Sequence, residues 1–297
     1  MISRQNRLER LSGNDWYKMN INLKDLNICE SLYGNMIFPR NDMVVGRSLP
    51  LYGEWSEGEN IVMSQLVNNG DSVIDIGANI GTTAISLSRS VGESGKVFAF
   101  EPQQIISQCL SANVLLNNIK NIEVYTLAVS SKSGWVYLDT DELSMKGRYG
   151  SVSVADKGHL VKSINLNEFK IKECSFIKID VEGHEWEVIQ GAESFLNSHK
   201  PVVYFEAKKE LTSTRECIKW FMTNGWDCYW HFAFWYRKNN WKKHQDNIFG
   251  GTGDMNILAV PRTKIQPDNF PKLQSENELW DGDLYLKFYS DKQIPLV

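Results

Sequence analysis

The sequence VIDIGANIG at residues 73–81 joins a short apolar run to a glycine-rich turn. Its β-branched residues, bounded on the amino side by Gly70, predict a buried parallel strand. Gly77 and Gly81 interrupt the strand pattern, and a helix is expected to begin at Thr82. Such a strand–turn–helix junction directs free backbone N–H groups and a positive helix dipole toward one point. The stretch therefore predicts a binding site for an anionic or ribose-bearing ligand.

The spacing of the glycines and the next strand indicate which ligand this is. The turn lacks the G-x-G-x-x-G spacing of dinucleotide sites, which disfavours a nicotinamide cofactor. Residues 96–100 predict the next strand, and Glu101 follows it in the position of an acid that accepts both hydroxyls of a ribose. With Asp75 near the end of the first strand, this is the pattern of S-adenosylmethionine sites. We therefore predict S-adenosylmethionine as the cofactor and expect these residues to bind it: Asp75, Gly77, Ala78, Asn79, Thr82, Glu101, Pro102, Ala128 and Asp180.

Successive segments of the chain resemble the signatures of the FkbM-type methyltransferase family, at residues 75–81, 100–102, 178–183, 201–206 and 256–261. The resemblance extends over about residues 51–261, and its most specific part is IDVEG at 179–183. It implies an α/β fold of the class I methyltransferase type, which is a Rossmann-like, mostly parallel seven-stranded sheet with helices on both faces. It also implies S-adenosylmethionine-dependent O-methylation, commonly of sugar or natural-product hydroxyls.

Composition limits the class of protein. The 297 residues are 42% hydrophobic, which is ample for a sizeable core. A net charge of −4 disfavours a general nucleic-acid binder, since such domains usually carry a basic excess. The five cysteines show no C-x-x-C spacing, so we expect reduced thiols in a cytoplasmic protein rather than disulfides or a zinc site. The chain contains no apolar run of about 18 residues, so we expect no transmembrane segment.

We predict three parts along the chain: an N-terminal extension at 1–50, the methyltransferase domain at 51–261 and a C-terminal tail at 262–297. Residues 43–45 are expected to be strand-like, residues 123–129 to form the third strand of the sheet, and residues 184–198 to form one helix. The pattern at 284–289 predicts an edge strand or a self-association patch, and with the latter a homo-oligomer.

The predicted chemistry needs alignment and a base. Methyl transfer from a sulfonium is an in-line displacement, so the protein mainly positions the reactants and excludes water. A base that accepts the hydroxyl proton adds about a hundred- to ten-thousandfold. We predict Asp180, Glu206 and His231 as catalytic residues, and His231 has the natural pKa for the task. The alternatives are that His231 is a packing residue and that Asp180 holds the methionine amino group.

Metal assistance is a competing mechanism. Asp180, Glu206 and a third oxygen ligand would form a magnesium site that acidifies the hydroxyl. The sequence shows no cluster of Asp and Asn residues of the kind that binds magnesium. We therefore predict no metal.

The acceptor is indicated only by class. Residues 225–241 contain eight aromatic residues beside His231, Arg237 and Lys238, and aromatic rings stack on the apolar faces of sugars. We predict a saccharide or other small-molecule acceptor. Two alternatives stay open: an RNA methyltransferase, because residues 235–244 combine aromatic and basic groups, and a non-catalytic module that binds the cofactor or a glycan.

Overall fold

The computed structural model describes residues 25–139, 147–208, 212–278 and 280–292. The first 24 residues of the predicted N-terminal extension therefore lie outside the described part. The strands, in chain order, are β1 (Leu26–Ser31), β2 (Gly34–Pro39), β3 (Ser72–Ile76), β4 (Lys96–Phe100), β5 (Ile122–Tyr125), β6 (Ala128–Val129), β7 (Gly134–Leu138), β8 (Val154–Ala155), β9 (His159–Ile164), β10 (Phe176–Ile179), β11 (Val202–Glu206), β12 (Trp226–Phe234) and β13 (Gly253–Pro261).

A seven-stranded sheet in the order β12-β13-β11-β10-β3-β4-β5 forms the centre of the described fold. The pairings β11·β10, β10·β3, β3·β4 and β4·β5 are parallel. Those of β13 with β11 and β12 are antiparallel, so the sheet is mixed. The parallel strands place their carboxyl ends at one edge, which is where open α/β sheets bind ligands.

Helices cover both faces of this sheet. They are α1 (Val45–Tyr52), α2 (Glu57–Leu66), α3 (Thr82–Val91), α4 (Gln104–Leu116), α5 (Glu185–Gln190), α6 (Glu193–His199), α7 (Thr212–Thr223) and α8 (Gly282–Lys292). Side chains alternate along β3, so Val73 joins the core with α2, α3 and α4, whereas Ile74 and Ile76 join the core with α5, α6 and α7. The predicted α/β class, with seven strands and helices on both faces, is confirmed. None of the described helices has the length and apolar character needed to cross a bilayer.

Four local predictions from sequence differ from the structure. Residues 43–45 are not strand-like, because α1 begins at Val45. The third strand stops at Tyr125, and β6 belongs instead to a small sheet of order β6-β9-β7-β8. The helix expected at 184–198 is divided into α5 and α6 around Gly191, where a Cβ would lie 2.1 Å from the carbonyl oxygen of Ser130.

The tail is the fourth difference, because it forms helix α8 rather than an edge strand. Tyr285 is buried, and its hydroxyl accepts a hydrogen bond from the backbone N–H of Phe232 at 3.0 Å. Phe288, one helical turn later, packs against the same core. Self-association of the chain stays a prediction, as does the division at residues 50 and 261, the first of which falls within α1.

Candidate cofactor and acceptor site

Two adjoining cavities open over the carboxyl ends of β3, β4 and β10. The first has a volume of about 610 Å³ and the second of about 800 Å³. Both are lined by Gly77, Asn79, Gly150, Asp180 and Glu182. These shared residues make the two cavities parts of one continuous cleft.

The turn after β3 is held close to the neighbouring strands. Gly77 has a φ of 77°, and a Cβ on it would lie 1.8 Å from the carbonyl oxygen of Asp180. The backbone N–H groups of Gly77 and Ala78 both donate to the carbonyl of Phe100, at 2.9 and 3.0 Å. Only glycine combines this left-handed backbone with so close an approach. The turn therefore fixes the spacing between the ends of β3, β4 and β10.

Glu101 is held rigidly at the floor of the first cavity. It is 3% exposed, and its carboxylate accepts hydrogen bonds from the backbone N–H groups of Asn79 at 3.0 Å and Gln103 at 2.8 Å. Burial raises its pKa to about 7, although these hydrogen bonds act in the opposite direction. A carboxylate can accept about four hydrogen bonds, so capacity remains for two ribose hydroxyls.

The rest of the first cavity is a slot with apolar walls. Residues 127–129 line it, and so do Leu138, Val152 and Val154 from the small sheet and the segment that leads into β8. The turn Tyr149–Ser151 covers it, because the Gln103 side-chain amide donates to the carbonyl of Tyr149 at 2.9 Å. The slot is therefore narrow and apolar, and Glu101 lies beside it.

A buried lysine connects the ends of β3 and β10. Lys178 is 5% exposed, and its Nζ lies 2.9 Å from Asp180 Oδ2 and 3.9 Å from Asp75 Oδ1. Burial lowers the pKa of Lys178, but the charges of Asp180, Asp75 and Glu59 together with the hydrogen bond to Asp180 raise it by more, so the ammonium stays protonated. Asp75 is fully buried and lines neither cavity. The contact of Asp75 toward the cleft is thus through Lys178, and its predicted role in binding the cofactor stays a prediction.

Three carboxylates gather on one wall of the second cavity. Oxygens of Asp180, Glu182 and Glu206 lie within 4.8 Å of one another, a separation that a divalent metal ion would also need. However, Lys208 Nζ already contacts Glu182 and lies 3.4 Å from Glu206 Oε2. Burial raises the pKa of Glu206 to about 10, and the charges of Asp180 and Glu182 act in the same direction. Lys208 thus supplies the positive charge that this group of acids requires.

Another part of the lining of the second cavity, the aromatic wall, combines aromatic and acidic side chains. Trp55 and Trp235 lie with ring centroids 5.2 Å apart, and both line the second cavity. Glu59 from α2 and Asp254 from β13 line it as well. This wall is suited to a ligand with both an apolar face and polar groups.

His231 lies away from the cleft. It is 2% exposed, lines neither cavity, and its Nδ1 lies 2.7 Å from the hydroxyl of Tyr204. Burial lowers its pKa to about 4, so the imidazole is neutral. The fold brings Asp180 and Glu206 together but places His231 in the packed interior.

The remaining predicted cofactor residues lie on the cleft. Gly77, Asn79, Glu101, Pro102, Ala128 and Asp180 line the first cavity, and Ala78 and Thr82 line the second. Sequence reasoning missed Lys178, Lys208, Glu59 and Asp254. Lys178 carried a readable signal, because it lies two residues before Asp180 and the period of a strand places both on one side.

A sequence model of the methyltransferase FkbM domain matches residues 75–232, more than half of the chain. The chain belongs to the FkbM methyltransferase family. The family predicted from the sequence is confirmed, and the matched domain belongs to the predicted class of S-adenosylmethionine-dependent methyltransferases.

Individual proteins that resemble this FkbM family member share 30% or less of its sequence in the three comparisons that follow. The chain is 30% identical over 151 residues to the hexuronic acid methyltransferase AglP of Haloferax volcanii, a match that covers 48% of this chain and 59% of that protein. It thus spans less than two thirds of that relative. A solved FkbM methyltransferase from Methylobacillus flagellatus has a TM-score of 0.44 at 16% identity, covering 65% of this chain and 44% of that one. An S-adenosylmethionine-dependent O-methyltransferase from Thermotoga maritima has a TM-score of 0.44 at 15% identity, with coverage of 81% and 79%.

Proposed function

We propose that this methyltransferase transfers the methyl group to a hydroxyl of a saccharide or other small molecule. The observation that carries the proposal is the junction of the two cavities at Asp180 and Glu182. On one side of this junction lies a ribose-binding acid, and on the other lie acids beside two tryptophans. A sugar stacked on Trp55 or Trp235 would present its hydroxyls toward the junction. The hexuronic acid named for the Haloferax volcanii relative agrees with a saccharide acceptor.

The residues of the first cavity fit S-adenosylmethionine. Glu101 would accept the ribose hydroxyls, and the slot beside residues 127–129 would hold the adenine. The turn from Gly77 to Asn79 and the start of α3 at Thr82 would hold the methionine part, where helix N–H groups favour a carboxylate. Bound S-adenosylmethionine supplies a methyl group that is already activated. The chain itself must therefore align the hydroxyl and take its proton.

We assign the role of proton acceptor to Asp180. Its side chain is 38% exposed and lines both cavities, and one of its oxygens is fixed by Lys178. The other oxygen is available to a hydroxyl, as a positioned base requires. Glu206 lies next to Asp180 within the acidic group and would orient the acceptor. This assignment replaces His231, whose burial against Tyr204 gives it a packing role.

Two of the four lysine and arginine side chains in residues 235–244 are used in contacts within the chain. Arg237 Nε lies 3.6 Å from Glu54 Oε1, and Lys242 Nζ donates to the carbonyls of Leu49 and Pro50 at 3.3 and 3.0 Å. These contacts fasten the segment onto α1. They favour a saccharide acceptor over RNA for this part of the cleft.

The test is methyl transfer from labelled S-adenosylmethionine to two extracts, one of cellular glycans and one of total RNA. We expect label in the glycan fraction only. The Asp180→Asn variant should lose this labelling while it still binds the cofactor, and Glu93→Gln, an exposed acid before β4, should keep it. Label in RNA, or equal labelling by Asp180→Asn, would refute the proposal. Cofactor binding without any labelled product would point to the non-catalytic alternative.

A further inference from the structure

Two acids on the aromatic wall of the second cavity are paired only with uncharged groups. Glu59 Oε1 accepts a hydrogen bond from Asn256 Nδ2 at 3.0 Å, and Asp254 Oδ2 accepts one from Trp235 Nε1 at 2.6 Å. Across the described segments of the chain, neither acid forms an ion pair within 4.0 Å. The nearby lysines form their ion pairs with other acids, Lys178 with Asp180 and Lys208 with Glu182 and Glu206. Their charges reach Glu59 and Asp254 only from a longer distance and lower the pKa of these acids by less than burial raises it.

This arrangement favours the entry of a positive charge. A buried carboxylate without a counter-charge is costly, so it tends to keep its proton. Burial raises the pKa of Glu59 to about 8, and the charge of Asp254 adds to the effect. Burial likewise raises the pKa of Asp254 to about 6, with Asp180 as the next cause. A cation placed between the two acids would stabilise the ionised form of both.

Two further groups at the same wall indicate what kind of cation fits. Trp55 and Trp235 offer ring faces, which attract organic cations electrostatically. Ser56 is 5% exposed and lines the cavity, and its hydroxyl has no hydrogen-bond partner among the described residues. A buried hydroxyl of this kind needs a partner, and a bound ligand would supply one.

We propose that Glu59 and Asp254, with Ser56 and the two tryptophans, bind an ammonium group of the acceptor, which is therefore an amino sugar. This inference rests on the proposed function and specifies its substrate class. An ammonium donates up to three hydrogen bonds. The aromatic wall offers it two acids and a hydroxyl as acceptors, together with the ring faces. A magnesium ion would need about six oxygen ligands, and indole rings provide none. A uronate would place its carboxylate against Glu59 and Asp254, where like charges repel.

The experiment measures binding of matched sugars to the full chain saturated with S-adenosylhomocysteine, by calorimetry at neutral pH. The probes are the 4-nitrophenyl β-glycosides of glucosamine, N-acetylglucosamine, glucose and glucuronic acid. We expect the glucosamine glycoside to bind about tenfold tighter than the other three, the ratio that about 1.4 kcal/mol of ion pairing produces. Glu59→Gln and Asp254→Asn should each remove this preference without changing the affinity for S-adenosylhomocysteine. Glu93→Gln should leave the preference intact.

Three results would overturn the inference: equal or tighter binding of the glucuronide, a preference unchanged in both variants, or no glucosaminide binding by protein that binds S-adenosylhomocysteine. A preference that requires added magnesium and vanishes with a chelator would also overturn it. If one variant fails to fold, the other and Trp235→Phe, which should weaken glucosaminide binding, still decide the question. Amine binding without methyl transfer to any sugar would refute the proposed function but not the ammonium site. Methyl transfer confined to neutral or acidic sugars would refute the ammonium site but not the proposed function.

Discussion

The carboxylate of Glu101 accepts a hydrogen bond from the backbone N–H of Asn79 at 3.0 Å. This contact joins the turn after β3 to the acid that follows β4, so the two parts of the proposed cofactor site are fixed relative to each other. Asn79 adopts a left-handed backbone with a φ of 50°, which aims its N–H at the acid. Contacts within the chain itself thus position both parts of the proposed cofactor site.

Replacement of Glu101 tests this organisation. Glu101→Gln should weaken binding of S-adenosylmethionine by about 1.5–3 kcal/mol, since hydrogen bonds to a charged group are lost. Calorimetric titration measures the change. Glu123→Gln, an exposed acid that pairs with Lys96 on the neighbouring strands, is the control and should bind normally. Equal affinity in both variants would remove Glu101 from the cofactor site.

Gly77→Ala tests the close approach of the turn to β10. Because Gly77 has positive φ and a Cβ would meet the Asp180 carbonyl, the variant must both strain the backbone and displace Asp180. Gly225→Ala is a matched control, since Gly225 has a φ of 100° and open space around it. Urea unfolding should show Gly77→Ala to be less stable than Gly225→Ala by about 1–3 kcal/mol, the usual cost of overpacking. Equal losses would mean that the turn can move freely.

The residues that line the proposed cofactor side of the cleft could be predicted from the sequence because their signals are local. The strand, the glycine turn and Glu101 all lie within 29 consecutive residues, 73–101, and the elements around them follow from simple patterns. The proposed acceptor side is formed by residues that contact each other but lie far apart in the sequence. Glu59 bonds to Asn256, which is 197 residues away, and no spacing rule connects them.

The failed predictions have the same physical cause. The alternation of residue types at 284–289 predicted an edge strand. In the structure, the hydrogen bond of the Tyr285 hydroxyl and the packing of Phe288 hold these residues as a helix against β12. Residue type favoured His231 as a base, but the fold buries it beside Tyr204. Tertiary contacts decided both cases over local pattern.

His231→Ala should lower stability rather than turnover. The substitution leaves the buried hydroxyl of Tyr204 without its partner, which costs about 1–3 kcal/mol of unfolding free energy. Turnover per folded molecule should stay unchanged, because His231 does not line the cleft. Urea unfolding and a steady-state methyl-transfer assay measure the two quantities. Tyr204→Phe removes the same hydrogen bond and serves as the control. A chemical step much slower in His231→Ala than in Tyr204→Phe would indicate that His231 acts as the base.

Asp180 should contribute more to the binding of S-adenosylmethionine than to the binding of its product, S-adenosylhomocysteine. Its carboxylate lies at the junction of the cavities, close to where the positive sulfonium must sit, and S-adenosylhomocysteine lacks that charge. Asp180→Asn should therefore weaken S-adenosylmethionine binding by about 1 kcal/mol more than product binding, since Asp180 is partly exposed. Calorimetry with both ligands tests this. Asp227→Asn, at a surface ion pair with Lys272, should change neither, and equal losses for both ligands in Asp180→Asn would contradict the placement.

The stability of the ligand-free protein should fall as the pH rises, and Glu59 should account for part of the fall. Its pKa is about 8 in the folded protein against an ordinary 4.5, because burial disfavours the charged form. Between these values the folded state holds a proton that the unfolded state has released. Stability from this group is therefore complete below pH 4.5 and is lost toward pH 8, with a slope of up to about 1.4 kcal/mol per pH unit. Glu59→Gln should show a shallower decline in urea unfolding across this range and run parallel to the parent protein above it, whereas Glu93→Gln should follow the parent throughout. Identical slopes in Glu59→Gln and the parent would mean that Glu59 is ionised in the fold, with the charge of Lys178 outweighing its burial.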